Sequence, residues 1–139
     1  METRNVLLLG GSGFIGSAVA ARLCDRNIRV VVPTRIVRRA RALSILPTVS
    51  LVQADIHDAS QLLPLMRGMD AVINLVGILH GNFEREHVQL PRLVAECCVK
   101  AGVPRLVHMS ALNADVTAPS AYLQSRDRGE AAVAAVAAS

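Results

Sequence analysis

Short apolar runs alternate along this chain with longer stretches in which apolar and polar residues are mixed. The apolar runs have the length of buried parallel strands and are too short to cross a membrane. In the first mixed stretch Ile15, Val19 and Leu23 recur every fourth position, which predicts a helix with one buried face. The predicted strands are residues 6–9, 28–32, 49–53, 70–76 and 105–109; helices are predicted from about residue 14 and over residues 36–46, 58–67, 87–100 and 121–138.

Residues that start or stop helices mark several of these boundaries. Asp58 and Gln61 form a capping-box pattern, in which Asp58 accepts from the third helical N–H and Gln61 reaches back. Gly68 and Gly102 follow helical stretches as C-terminal stops. Strands and helices therefore alternate along the chain. This alternation predicts an α/β fold of three layers, a doubly wound parallel sheet of the Rossmann type with strand order 3-2-1-4-5.

Size and composition limit the class of protein. The 139 residues predict one domain over residues 1–139, and 52% hydrophobic with 2% aromatic residues indicates a core of aliphatic side chains. The first strand follows the initial Met1–Arg4 directly, and no apolar run reaches membrane-spanning length, so we expect neither a signal peptide nor an integral membrane segment. The cysteines, Cys24, Cys97 and Cys98, have no CxxC spacing and are expected to be reduced, buried thiols of a cytoplasmic protein.

Charge and histidine spacing exclude two further classes. The net charge of +4 raises the question of a nucleic-acid partner, but stacking aromatics are almost absent, so none is expected. The histidines, His57, His80, His87 and His108, lack the spacing of metal ligands, and no metal site is predicted.

The stretch Val6–Gly16 carries the strongest functional signal. An apolar strand leads into a glycine turn that opens a helix, as in phosphate-binding loops. Gly10 would allow the sharp turn, Gly13 the approach of backbone N–H groups to a pyrophosphate, and Gly16 the packing of the helix on the strand. A plain structural turn is the alternative. The candidate binding residues of the loop are Gly10, Gly11, Ser12, Gly13, Phe14, Ile15 and Gly16.

The end of the second strand indicates which dinucleotide is preferred. NAD sites place an acid there, about 20 residues after the glycines, to bind the ribose hydroxyls. This chain has Thr34-Arg35 instead and no acid before Asp55. Arg35 could bind a 2′-phosphate, with Arg38 or Arg39 as a second cation, so NADP(H) is favoured over NAD(H). The alternative is a solvated basic helix face.

The GxxGxxG spacing of the loop, with Phe14-Ile15 inside it, resembles the extended and atypical short-chain dehydrogenase/reductase superfamily. Further distinctive segments are residues 72–77, Phe83 with His87-Val88, residues 108–112 and residues 119–123. They are similar to the branch that contains the nucleotide-binding accessory subunit of NADH:ubiquinone oxidoreductase and its bacterial epimerase/dehydratase-like relatives. The resemblance implies tight NADPH binding, in many members without established turnover.

The resemblance also implies roles for residues after the third and fourth strands. Asp55 would accept from the exocyclic amine of adenine and Ile56 would cover the ring, the alternative being a turn or cap. Val76 and Gly77 would let the cofactor approach the backbone, the alternative being a turn glycine. Both segments are expected on the rim where Gly10–Gly16 lies, because ligands of such sheets bind outside the carboxyl ends of the strands.

Catalysis would depend on Ser110, Tyr122 and Arg126. The superfamily uses a serine and a Tyr-x-x-x-Lys pair, in which tyrosine is the acid or base, lysine lowers its pKa and serine orients a carbonyl. Here the lysine is replaced by Arg126, which keeps the charge but cannot take part in a proton relay. Three alternatives follow: an active site, a remnant that only binds cofactor, or a tyrosine packed on an arginine.

The expected function is therefore an NAD(P)-binding protein with a structural, assembly or sensing role, and the alternative is an active oxidoreductase or a sugar-nucleotide epimerase or dehydratase that uses Tyr122. The resemblance implies a respiratory-complex partner and, through it, a position peripheral to the inner membrane. Relatives continue into a C-terminal substrate lobe that this chain lacks, so it is either a fragment or a minimal member. The fifth strand would then be an unpaired edge, which predicts a homo-oligomer.

Overall fold

The computed structural model describes residues 2–111, 114–115 and 120–138. The strands are β1 (Asn5–Leu9), β2 (Arg29–Thr34), β3 (Val49–Gln53), β4 (Ala71–Asn74) and β5 (Arg105–His108). The α-helices are α1 (Phe14–Asp25), α2 (Ala59–Met66), α3 (Leu90–Ala101) and α4 (Ala121–Ala138). A 3₁₀ segment, Val37–Ile45, joins β2 to β3, and a π-helical segment, Glu84–Gln89, precedes α3.

The strands form one parallel sheet in the order β3-β2-β1-β4-β5, as the sequence predicts. Apolar side chains fill both faces of β1: Leu7 and Leu9 pack in a cluster with α2 and α3, whereas Leu8 packs in a second cluster with α1 and the 3₁₀ segment. Burial on both faces explains why the strand is a continuous apolar run rather than an alternating one. The structure is the expected Rossmann-like α/β fold.

The helical stretch predicted over residues 36–46 is the 3₁₀ segment. Its buried residues Ala40 and Leu43 are three positions apart, and Leu46, three further on, packs against the same cluster. Because a 3₁₀ helix has three residues per turn, this spacing keeps all of them on one side. The structure thus identifies the type of helix, which the sequence-based prediction left open.

Two further boundaries differ from the sequence-based expectation. The π segment occupies the start of the helix predicted over residues 87–100, and α3 itself begins at Leu90. At the start of α2 the Asp58 carboxylate accepts from the Ser60 N–H at 2.9 Å, and Gln61 Oε1 accepts from the Asp55 N–H at 2.9 Å. Asp58 is the cap, as expected, but the Gln61 side chain accepts from the backbone N–H of Asp55, just after β3, rather than from that of Asp58.

Of the predicted loop 113–120, residues 113 and 116–119 lie outside the described part of the chain, as does residue 112. Within the described residues, none of the helices combines the length and the apolarity needed to cross a bilayer. All three cysteines are free; Cys97 and Cys98 are buried, as expected, whereas Cys24 is partly exposed.

Candidate functional site

The glycine turn between β1 and α1 lies against the carboxyl end of β4. Gly10 has a φ of +80°, which side chains disfavour, and a Cβ there would lie 3.0 Å from the Leu75 carbonyl carbon and from the Val76 nitrogen. A Cβ at Gly16 would collide with the Gly10 carbonyl oxygen and come within 2.6 Å of the Gly11 Cα. The turn, the strand end and the helix are therefore held together at spacings that exclude side chains.

The N-terminus of α1 is open. Gly13 is its N-cap residue, no side chain caps it, and the first turn contains no acid. Among the described residues, a Cβ at Gly13 would approach only the Gly10 oxygen, at 3.6 Å. Because the first N–H groups of a helix have no partner within it, this end can accept an anion.

The apolar residues of the loop point to solvent. Ser12 is exposed, Phe14 is 94% exposed and Ile15 is 49% exposed. Ile15 was expected on the buried face with Val19 and Leu23; those two pack against the core, but Ile15, in the first turn, does not. Gly11 is buried, and a Cβ there would press on Val32 and Leu8.

Farther along the carboxyl ends of the strands, Arg35 and Asp55 line one shallow cavity of about 410 Å³ next to β2 and β3. The hydrogen bond from the His57 backbone N–H is the main cause that lowers the pKa of Asp55, and the charge of Arg35 contributes. Ile56 is half-buried and packs against the core. Arg39 is exposed on the 3₁₀ segment and is not among the residues lining this cavity.

Gly77 has a different neighbour from the one expected. A Cβ at Gly77 would collide with the guanidinium of Arg126, so the missing side chain makes room for that group rather than only for a cofactor. Val76 is half-buried, and its N–H donates to Asn74 Oδ1 at 3.1 Å. Asn74 and Arg126 thus both hold the backbone after β4, at the N–H and at the carbonyl of Val76.

The catalytic candidates come together at the ends of β4 and β5. Arg126 is 5% exposed and donates from one nitrogen to the carbonyls of Val76 and Met109, at 3.3 and 3.2 Å. Its guanidinium carbon lies 5.6 Å from the centre of the Tyr122 ring. The Ser110 hydroxyl is buried and lacks a hydrogen-bond partner among the described residues. Arg126 therefore joins the two strand ends while it also faces the tyrosine.

His87 is a central residue of the site to which the sequence analysis gave no role. It appeared there only among the histidines that lack metal-ligand spacing and in a segment that carries the family resemblance. It has no exposed surface; Nε2 accepts from the Ile78 N–H at 3.0 Å, and Nδ1 lies 2.9 Å from Ser125 Oγ. Its ring also contacts those of Phe83 and Tyr122. The available signal was the spacing, since Phe83 and His87 are one helical turn apart, as are Tyr122 and Ser125.

His57 is a second residue that sequence reasoning left without a role. Its Nε2 lies 2.7 Å from Glu86 Oε1 and its Nδ1 3.3 Å from Asp55 Oδ1, so it bridges the end of β3 to the π segment. Among the residues that the structure describes, no group of three histidine, cysteine or carboxylate side chains is placed to hold a metal ion.

Comparison with known proteins identifies the family to which this chain is similar. The model of the NAD dependent epimerase/dehydratase family matches residues 6–129. The mitochondrial NADH dehydrogenase [ubiquinone] 1 alpha subcomplex subunit 9 of Mus musculus is 29% identical over 137 residues, which are 93% of this chain and 36% of that protein. This chain thus spans about a third of that relative's length.

Two solved structures share the fold. Pen from Bacillus thuringiensis has a TM-score of 0.87 at 18% identity over 99% of this chain and 47% of its own. The NADPH-dependent quinone oxidoreductase QOR2 of Escherichia coli, complexed with NADPH, has a TM-score of 0.76 at 22% identity over 94% of this chain and 45% of its own. At these identities the likeness concerns the fold alone. On the family match, which covers most of its length, this chain belongs to the NAD dependent epimerase/dehydratase family.

Proposed function

We propose that this chain binds a nicotinamide dinucleotide across the carboxyl ends of its strands. The observation that carries the proposal is the open N-terminus of α1, held by Gly10 and Gly16 against the end of β4. A diphosphate there would accept from N–H groups around residues 11–15 and lie at the positive end of the helix dipole. The loop residues, Asp55, Ile56, Val76 and Gly77 would line the path of the dinucleotide.

NADP(H) is the proposed form of the cofactor. Arg35 lies at the end of β2, exposed and beside the shallow cavity, where a planar guanidinium could bind a 2′-phosphate. The only acid lining that cavity among the described residues is Asp55, at the end of the next strand. Arg39, on the exposed side of the 3₁₀ segment, would add positive charge from a distance.

Calorimetric titration with NADPH and NADH tests this proposal. We expect wild type to bind NADPH more tightly, and Arg35→Glu to weaken NADPH binding by about tenfold or more while NADH binding changes little, because the new carboxylate repels the 2′-phosphate. Arg67→Glu, an exposed arginine at the C-terminus of α2, is the charge-matched control. Tighter binding of NADH by the wild type would contradict the cofactor assignment, and no binding of either would contradict the function.

The proposed role is structural, assembly-related or sensing, with little hydride transfer. Arg126 donates to two backbone carbonyls and, unlike the superfamily's lysine, cannot take part in a proton relay. The mouse relative is named as a subunit of NADH dehydrogenase, which supports a respiratory-complex partner and a location at the inner membrane through it. Residues 1–139 are the proposed dinucleotide-binding domain.

An active oxidoreductase, epimerase or dehydratase is the second candidate. Its support is the Tyr122 ring beside a buried cation and the unpartnered Ser110 hydroxyl at the end of β5. If Tyr122 is the acid or base, Tyr122→Phe abolishes NADPH oxidation with a panel of carbonyl substrates and leaves NADPH affinity unchanged. Equal rates for wild type and Tyr122→Phe would remove this candidate.

A further inference from the structure

His57, which lies outside the glycine loop, connects the end of β3 to the π segment. The His57 side chain is 16% exposed and lies between two carboxylates, Asp55 at the end of β3 and Glu86 in the π segment. The Glu86 side chain is itself 13% exposed, and Arg85 lies 3.4 Å from the same oxygen. The His57–Glu86 contact spans 29 positions of the sequence and is partly buried, whereas the Asp55 side chain is 41% exposed.

Both ring nitrogens of His57 face oxygens that only accept hydrogen bonds. An imidazolium donates to both carboxylates, whereas a neutral ring donates to one of them. The other residues lining the small cavity beside the ring are Arg85 and the uncharged Gln89, Leu90 and Leu93 of the π segment and α3. The charged groups that face His57 from its neighbouring elements are therefore Asp55, Glu86 and Arg85.

The contacts leave one oxygen of Asp55 available. Oδ1 accepts from the His57 backbone N–H at 3.0 Å and lies 3.3 Å from Nδ1, while Oδ2 has no hydrogen-bond partner within the described part of the chain. Asp55 lines the shallow cavity shared with Arg35, so the carboxylate is held at the crevice with one acceptor unused.

We propose that His57 is a positioning residue for adenine: it fixes the Asp55 carboxylate so that Oδ2 accepts from the exocyclic amine of the base. The inference rests on the proposed dinucleotide function and adds the residue that orients the acceptor. Glu86 holds the other side of the ring, so the π segment that carries His87 is tied to the adenine end of the site.

Two substitutions of His57 separate its two contacts. Gln places an amide nitrogen near the position of Nε2 and keeps the donor to Glu86, whereas Asn places one near Nδ1 and keeps the donor to Asp55.

The probes are NADPH and its hypoxanthine analogue, in which a carbonyl replaces the exocyclic amine. We expect His57→Gln to lose about 3- to 10-fold in NADPH affinity and nothing for the analogue, because one hydrogen bond is at stake. His57→Asn stays within about twofold of wild type for both.

Wild type provides a third arm that needs no substitution. It should bind NADPH more tightly than the analogue, because Asp55 Oδ2 would accept from the exocyclic amine but would face a carbonyl oxygen in the analogue. This comparison keeps the inference testable should His57→Gln fail to fold.

Three results would overturn the role of His57: unchanged NADPH affinity in a folded His57→Gln, an equal loss for both cofactors in that variant, or equal affinity of wild type for NADPH and its analogue. The second of these would indicate a purely structural bridge. If wild type binds neither cofactor, the proposed function fails and this inference with it, whereas wild-type binding with an unaffected variant contradicts only the positioning role.

Discussion

His87 shows how one buried side chain can make the fold sensitive to acid. Nε2 accepts from the Ile78 N–H, so Nδ1 must carry the proton that is donated to Ser125 Oγ, and that hydroxyl donates in turn to the Tyr122 carbonyl at 2.7 Å. Only the neutral ring satisfies this chain of donors and acceptors. Burial, then the charge of Arg126, lowers the pKa of His87 to about 4.

We therefore predict that the protein loses stability in mild acid. In the unfolded chain His87 takes up a proton near the ordinary histidine pKa of 6.5, whereas in the folded chain it resists protonation until about 4. Its contribution to stability is therefore complete above 6.5 and is lost as pH falls between these two values. The loss is at most about 3 kcal/mol in the free energy of unfolding. Denaturant unfolding measured across this range should show the slope, and His87→Gln should reduce it.

The exposed His80 provides the control, since His80→Gln should keep the slope of wild type. His108 contributes in the same direction, because burial lowers its pKa as well, so some slope remains in His87→Gln. A free energy of unfolding in wild type that does not change between about pH 6.5 and 4 would contradict the assigned tautomer.

Arg126 marks the limit of sequence reasoning at the residue scale. The spacing correctly placed Tyr122 and Arg126 one helical turn apart on the same face. It did not reveal that the guanidinium would reach the Val76 carbonyl, 50 positions away, or that Gly77 would be the residue making room for it. Local patterns identify which residues share a helix face, but they do not report what a long side chain meets across the sheet.

At the scale of an element, the glycine turn separates residues needed for folding from residues needed for binding. A Cβ at Gly16 meets backbone atoms of the turn itself, which cannot rotate away, whereas a Cβ at Gly13 makes an ordinary van der Waals contact, 3.6 Å from the Gly10 oxygen. Gly13 has ordinary extended dihedrals, φ −77° and ψ 178°, so alanine there is not strained.

The two glycines should therefore respond differently to alanine. We predict that Gly16→Ala lowers the free energy of unfolding by about 1–3 kcal/mol, as overpacking does. Gly13→Ala should cost about 1 kcal/mol or less but reduce dinucleotide affinity by about tenfold or more, because its methyl group stands where the diphosphate would lie. Chemical denaturation and calorimetric titration of both variants measure this. Equal NADPH affinities for wild type and Gly13→Ala would place the diphosphate elsewhere.

The sequence predicted the largely buried inner strands more fully than the 3₁₀ segment, most of whose residues are not buried. The inner strands β1, β2 and β4 each pair on both sides, so their buried apolar runs could be recognised in the sequence. The 3₁₀ segment has only Ala40 and Leu43 buried among its residues, and this spacing fits a helix of either kind. Leu46, three positions further on, packs against the same cluster and continues the three-residue spacing of a 3₁₀ helix.

At the scale of the whole molecule, the order of the strands follows from their alternation with helices and from right-handed crossovers. That order places the ends of β1 and β4 side by side, and with them the glycine turn and Gly77. The general position of the candidate site was therefore predictable. The His57 and His87 bridges were not, because they join segments that only the folded sheet brings together.

β5 forms one edge of the sheet. β5 pairs with β4 alone among the described strands, and Val107 on it is 55% exposed. Because an unpaired apolar edge invites pairing with another chain, we expect this chain to self-associate at concentrations on the order of 100 µM. Val107→Lys should shift light scattering to the monomer mass, since a charge on an edge strand opposes pairing. Ile45→Lys is the matched control, being 82% exposed but on the 3₁₀ segment, and should scatter as wild type does. A monomeric wild type would show that the β5 edge does not pair in solution.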